Sequence, residues 1–177
     1  LEMACFLSEG DTSAYSFHTS SYIINAPIET TWKAYKTVSP THKTGKKDFV
    51  SFGMLYSKSE NIIYYPTDDY NGMNDMQTVF WNLRMMGGLV KISVAQTINN
   101  INDIQKSFRI CYLQKGVSQG TQFIKLEVTA DGKTKVTHDT YFKSHSKTRD
   151  KRLYPKFHEK AIDEFHEMVK EYAERKV

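Results

Sequence analysis

The sequence predicts an α+β fold, an antiparallel sheet packed on one long C-terminal helix. Period-two alternation recurs from residue 48 to residue 143 in short runs separated by turn residues. From Leu153 to Tyr172 the apolar spacing changes to steps of three and four. A third signal lies at Ala26-Pro27, where an alternating apolar run stops and a helical pattern starts at once; proline suits that entry because it has no N–H to leave unsatisfied.

The first strand is expected over His18–Ala26, with Tyr22 and Ile24 on the face opposite Ile23. Ile28, Trp32 and Tyr35 then recur at helical spacing until Ser39-Pro40 stops the run. "DFVSFGMLYS" and "NIIYYP" read as two strands joined through Lys58-Ser59-Glu60-Asn61, with Gly53 marking a bulge or bend. Thr67 to Gly88 lacks sustained alternation and gathers Met73, Met76, Phe80, Trp81, Met85 and Met86 before Gly87-Gly88. It reads as a long connection with a short helix near Thr78 to Met85, either a lid hinged at the glycines or a plug of core.

Alternation returns in "LVKISVAQTI", "SFRICYLQK", "TQFIKLEVT" and "KVTHDTYFK". Asp131-Gly132 joins the last two, because those residues tolerate the positive φ of a tight hairpin. Ile124, Leu126 and Val128 form a dry face there, and Lys125 and Glu127 a wet one. On the last helix Leu153, Tyr154, Phe157, Ala161, Ile162, Phe165, Met168, Val169 and Tyr172 make an apolar stripe, with Lys156, Glu159, Lys160, Asp163, Glu164, Glu167 and Lys170 opposite. Each buried aliphatic or aromatic side chain contributes roughly 1.5–3 kcal/mol gross, so this helix must pack on the sheet.

Length places the chain as one domain over residues 18–177 behind a mobile lead-in, residues 1–17. A net charge of +4, mixed along the chain, argues for no nucleic-acid partner and allows at most transient membrane contact. No apolar run reaches the length of a membrane span, and no signal peptide is visible. Leu1-Glu2 ahead of Met3 has the look of a cloning remnant, with Met3 the natural start, although a processed chain would look the same. Cys5 and Cys111 make no disulfide framework, which fits a reduced, cytoplasmic setting.

Metal and nucleotide chemistry find no support. His158 and His166 lie eight apart without a His-Glu-x-x-His pattern and read as solvated helix histidines; no Cys-x-x-Cys, phosphate loop, dinucleotide fingerprint or Gly-x-Ser-x-Gly occurs. Lys143 to Arg152, "KSHSKTRDKR", reads as a solvated loop entering the helix, and Arg109 as a wet-face residue that, turned inward, would clamp a carboxylate. Asp68-Asp69 and Asp163-Glu164 suggest no catalytic dyad. On the last strand either Val136, His138, Thr140 and Phe142 or Lys135, Thr137, Asp139 and Tyr141 face inward; in the first case His138 can orient a ligand or act as acid or base.

The order of elements, the junction "INAPIETTWKAY", and Gly120-Thr121 opening the last hairpin in "GTQFIKLEVTADGKTKVTHDTYF" resemble the SRPBCC superfamily: START domains, the birch pollen allergen family and polyketide cyclases. The resemblance spans about residues 18–175. It implies the helix-grip fold, a curved antiparallel sheet wrapped around a long C-terminal helix, with early helices closing one end and Trp32 adding bulk to the seal. It also implies a gap that holds an apolar or amphipathic, lipid-like molecule for sequestration or transfer, with no cofactor or metal. His138, Thr140, Trp81, Phe80, Met85, Tyr112, Phe157 and Phe165 are the expected ligand contacts. The alternatives are a cyclase- or dehydratase-like enzyme using His138 and a tyrosine, and a protein-interaction module with a filled core.

Overall fold

The computed structural model describes residues 12–43, 49–113 and 118–175. Most of the expected lead-in, including Cys5, falls outside those residues, as does the side chain of Met86. The strands are β1 (Ser16–Ile24), β2 (Val50–Ser57), β3 (Ile62–Tyr64), β4 (Gln77–Met85), β5 (Val90–Asn102), β6 (Ser107–Tyr112), β7 (Gln119–Val128) and β8 (Thr134–Lys143). They form one antiparallel sheet in the order β1-β8-β7-β6-β5-β4-β2-β3. Two helices accompany it, α1 (Ile28–Thr37) and α2 (Tyr154–Glu174), the latter entered through a π-helical turn, Arg149–Leu153.

The opening junction forms as expected. Pro27 sits at the N-terminus of α1, and Thr134 Oγ1 ties it to β8 by donating to the Ala26 carbonyl at 2.8 Å. Trp32 and Tyr35 are buried and pack on Phe108 of β6, while Trp32 Nε1 donates to Asp103 Oδ1 at 2.7 Å. The helix therefore plugs one end of the sheet with aromatic rings while its one indole N–H stays satisfied. Long helix α2 lies across the concave face, tied to β1 by the Tyr22 hydroxyl, which donates to Asp163 Oδ1 at 2.6 Å.

Two glycines carry sheet geometry. At Gly53 the β2–β4 register slips between Phe52 and Met54, the expected bulge. Gly120 has φ 142°, and a Cβ there would lie 1.8 Å from the Tyr141 carbonyl oxygen, so only glycine lets β7 run this close to β8.

The largest departure from expectation is residues 77–85, which are strand and not helix. Val79, Trp81, Leu83 and Met85 face one side and Asn82 and Arg84 the other, so a period of two was present but was masked by the outward Phe80. Both edges of β4 are hydrogen bonded, to β2 and to β5, and Gly87 and Gly88 form the tip of the β4–β5 hairpin. The preceding connection is also pinned: Met73 N donates to the Lys36 carbonyl at 2.7 Å and Met76 N to that of Ile98 at 2.8 Å. Of the two readings of Thr67–Gly88, lid or plug of core, residues 77–85 agree with neither as a helix: they are a strand paired on both edges that lines the cavity.

On α2 the buried column runs Tyr154, His158, Ile162, His166, Val169 and Ala173, whereas Leu153 and Tyr172 are half exposed. His158 and His166 are buried, not solvated, and Glu164 is 2% exposed, so the opposite face assigned to Glu164 is also corrected. Steps of four from Tyr154 keep both imidazoles on the sheet-facing side.

Candidate functional site

Between α2 and the concave sheet lies a cavity of about 630 Å³, within the range of small-molecule sites. Its lining includes Leu153, which is 52% exposed. Of the expected contacts, His138, Trp81, Met85, Tyr112, Phe157 and Phe165 line it. Phe80 points to the other face of β4, and Thr140 stands one layer behind, buried and bonded to His158. Of the two alternatives for β8, the face with Val136, His138, Thr140 and Phe142 is the buried one. Arg109 contributes nothing to the lining, while its neighbours Phe108 and Ile110 do.

The cavity has two unlike walls, set by strand order. Strands β4 and β5 present Val79, Trp81, Leu83, Met85, Ile92 and Val94, with Phe157 and Phe165 from α2 beside them. Strands β6, β7 and β8 and the first turns of α2 present Tyr112, Gln122, His138, Tyr154, His158 and Arg149. In a sheet, side chains of adjacent strands stand side by side, so a run of polar inward residues across three neighbouring strands becomes one polar wall.

That wall is a continuous hydrogen-bonded chain. Tyr35 Oη meets His166 Nδ1 at 2.6 Å, His166 Nε2 meets His138 Nδ1 at 2.7 Å, and His138 Nε2 meets Gln122 Oε1 at 2.8 Å. Gln122 Nε2 donates to Tyr112 Oη at 2.8 Å; Tyr112 Oη and Tyr154 Oη are 2.5 Å apart. A long contact of 3.4 Å leads from Tyr154 Oη to His158 Nδ1, and His158 Nε2 meets Thr140 Oγ1 at 2.9 Å.

One direction of donation satisfies every member. Gln122 Oε1 can only accept, so His138 carries its proton on Nε2 and accepts at Nδ1 from His166 Nε2–H; His166 Nδ1 then accepts the Tyr35 hydroxyl proton. Beyond Gln122, Tyr112 donates to Tyr154, Tyr154 to His158, and His158 Nε2–H to Thr140. All three imidazoles are neutral in this arrangement. Burial is the main reason: it holds His138 and His158 well below the ordinary histidine value and His166 at about 3, with the neighbouring imidazoles adding to the effect. Burial likewise pushes Tyr112 up to about 12 and Tyr154 well above its ordinary value, and the Arg149 guanidinium opposes both shifts.

The basic stretch that reads as a solvated loop is more involved than expected. Arg149 lines the cavity, its Nη2 donating to Ser118 Oγ at 2.8 Å and its Cζ lying 5.8 Å from the Tyr154 ring centre. Asp150 is buried and accepts from Ser144 N at 2.8 Å and Ser144 Oγ at 2.7 Å. Sequence reasoning missed Gln122, Tyr154, His158, His166 and Arg149 as site residues. The buried column of α2 was the available signal for three of them.

Sheet, bulged strand, plugging helix and gripped C-terminal helix together define the helix-grip fold. Solved structures share it across nearly their whole length. The protein TTHA0849 from Thermus thermophilus superposes with a TM-score of 0.65 at 12% identity, covering 89% of this chain and 97% of that one. The KanY protein gives 0.64 at 15% identity, with 91% and 99% covered. Ginseng major latex-like protein 151 from Panax ginseng gives 0.62 at 9% identity, again with 91% and 99% covered. No protein-family model matches the sequence. No curated protein matches it either.

Proposed function

We propose that this chain, acting as one domain over residues 18–177, binds an apolar or amphipathic small molecule of lipid-like size between sheet and α2, for sequestration or transfer. The observation that carries the proposal is the cavity of about 630 Å³ with one apolar and one polar wall. An apolar body gains from leaving water against β4 and β5, and a few polar groups opposite fix its orientation. The shared helix-grip fold, seen also in a START superfamily protein from Mycobacterium smegmatis at a TM-score of 0.58 and 8% identity, agrees with this reading.

Binding without chemistry is favoured over the cyclase-like alternative by the histidines themselves. Both ring nitrogens of His138 and of His158 are engaged within the protein, so neither offers a free proton acceptor to the cavity. A filled-core interaction module is disfavoured by the cavity volume. Among the described residues no helix is long and apolar enough to cross a membrane; transient contact with a bilayer during loading belongs to the proposal. So does a reducing, cytoplasmic setting, in keeping with Cys111, a buried thiol 3.8 Å from Thr121 Oγ1.

The test is mass spectrometry of an organic extract of freshly purified protein, with titration by the neutral probe diphenylhexatriene. A co-purifying apolar molecule, or saturable probe binding lost in the cavity-filling variant Ala95→Trp, is expected. An empty extract together with absent probe binding overturns the proposal.

A further inference from the structure

Resting on that reading, we propose that the ligand is a neutral molecule bearing a hydroxyl group, which inserts between Tyr154 Oη and His158 Nδ1, accepting from the first and donating to the second. Those two atoms are 3.4 Å apart, the longest link in a chain whose others measure 2.5–2.9 Å. Hydrogen bonds in proteins run at roughly 2.5–3.2 Å, so this link is the weak one. Both residues line the cavity. They stand one turn apart on α2, with ring centres 5.1 Å apart at an interplanar angle of 18°.

Elsewhere the chain is closed. Every other link is short, so a polar group entering there would break one hydrogen bond in order to make another. At the Tyr154–His158 contact one long bond is exchanged for two of ordinary length. An oxygen at about 2.8 Å from each of two atoms 3.4 Å apart completes a triangle, which needs no movement of the helix that carries both.

The chain also selects the chemical class. Tyr154 accepts from Tyr112 and turns its own proton toward His158, while His158 gives its Nε2–H to Thr140 and presents a lone pair at Nδ1. The inserted group must therefore accept on one side and donate on the other. A hydroxyl does both. A carboxylate, ketone or ether oxygen would set a lone pair against that of Nδ1, and an ammonium would set a proton against that of Tyr154. Burial holds His158 neutral and keeps the Tyr154 hydroxyl protonated, so neither member of the pair calls for a charged ligand group. The ligand keeps its own proton, which agrees with binding without chemistry. Its apolar body then lies against Trp81, Leu83 and Ile92 on the facing wall.

The experiment compares dodecanol with its isomeric ether, 1-methoxyundecane, as competitors of diphenylhexatriene at pH 7.5. A plain apolar cavity favours the ether, which has the same atoms but no O–H to strip of water. Wild-type protein is expected to reverse that order and bind dodecanol about threefold or more tighter, the worth of one net hydrogen bond. His158→Phe keeps a ring in place and removes the acceptor; it should abolish the preference for the alcohol while changing ether affinity less than about twofold. Ether bound as tightly as the alcohol by wild-type protein overturns the inference, as does an alcohol preference that survives His158→Phe. The wild-type comparison decides even where the variant does not fold. Loss of the alcohol preference with diphenylhexatriene still bound leaves the ligand-binding reading standing, whereas failure of both competitors and of the neutral probe sinks both.

Discussion

The two walls of the cavity are built from neighbouring strands of one sheet, yet they obey different rules. On β4 and β5 the inward residues are Val79, Trp81, Leu83, Ile92 and Val94, held by area and shape, and any one is replaceable by a side chain of similar volume. On β6 to β8 the polar inward residues Tyr112, Gln122 and His138 are links in a chain from Tyr35 to Thr140, and each satisfies the next. The first wall tolerates change in proportion to volume. The second fails by whole hydrogen bonds, because a buried group deprived of its partner costs about 1–3 kcal/mol. Adaptability in ligand shape and precision in ligand orientation are thus assigned to different strands.

The comparison breaks first where the backbone itself holds the polar wall. Gly120 lies two residues before Gln122, and Gly120→Ala would drive a Cβ to 1.8 Å from the Tyr141 carbonyl oxygen at a φ of 142°. Separation of β7 from β8 there is expected to cost more than about 4 kcal/mol, the range of severe single substitutions. Urea denaturation checks it: a midpoint close to wild type would mean that the β7–β8 approach is softer than described.

The next effect concerns the chain. His138→Leu removes the partner of Gln122 Oε1 and of His166 Nε2–H and should cost about 2–5 kcal/mol. It should also flatten the acid limb of the stability profile. His138, His158 and His166 are depressed from an ordinary value of 6.5, His166 to about 3. The unfolded chain therefore binds more protons than the native state below about pH 6.5, and stability falls with acid from there toward pH 3. Each such histidine adds up to about 1.4 kcal/mol per pH unit over its window, so the variant's slope should be shallower by about that amount. Denaturation between pH 7.5 and 4.5 measures it. A wild-type profile flat below pH 6 would remove the neutral chain from the account.

The same division decides what could be read in the sequence. Elements governed by area were legible: the junction at Ala26-Pro27, the hairpin at Asp131-Gly132, the bulge at Gly53 and the long helix all follow from local periodicity and turn chemistry. Strand β4 was not, because Phe80 interposes an apolar side chain on the outer face and the methionines imitate a helical cluster. The histidines were misread for a different reason. Polarity alone sends His158 and His166 to solvent, and only the pairing partners on β8 and α1, Thr140, His138 and Tyr35, make their burial tolerable. Arg149 was hidden in a run of exposed basic residues, from which sequence has no means of selecting the one that turns inward.

The smallest expected effect sharpens the comparison from the apolar side. Leu83 is partly buried, lines the cavity and has no polar atom to satisfy, so Leu83→Met exchanges one apolar shape for another of similar volume. Stability should change by less than about 1.5 kcal/mol, and the acid limb should keep its wild-type slope, because no link of the chain is touched. Diphenylhexatriene affinity should move only a few-fold, since methionine adapts its contour to the probe. A Gln122→Met variant, matched in length but placed on the polar wall, would orphan His138 Nε2–H and should be the more destabilising of the two by at least about 1 kcal/mol. Urea midpoints and probe titrations on the pair provide the measurement. Equal losses would show that both walls are held by area alone, and the distinction drawn between them would fall.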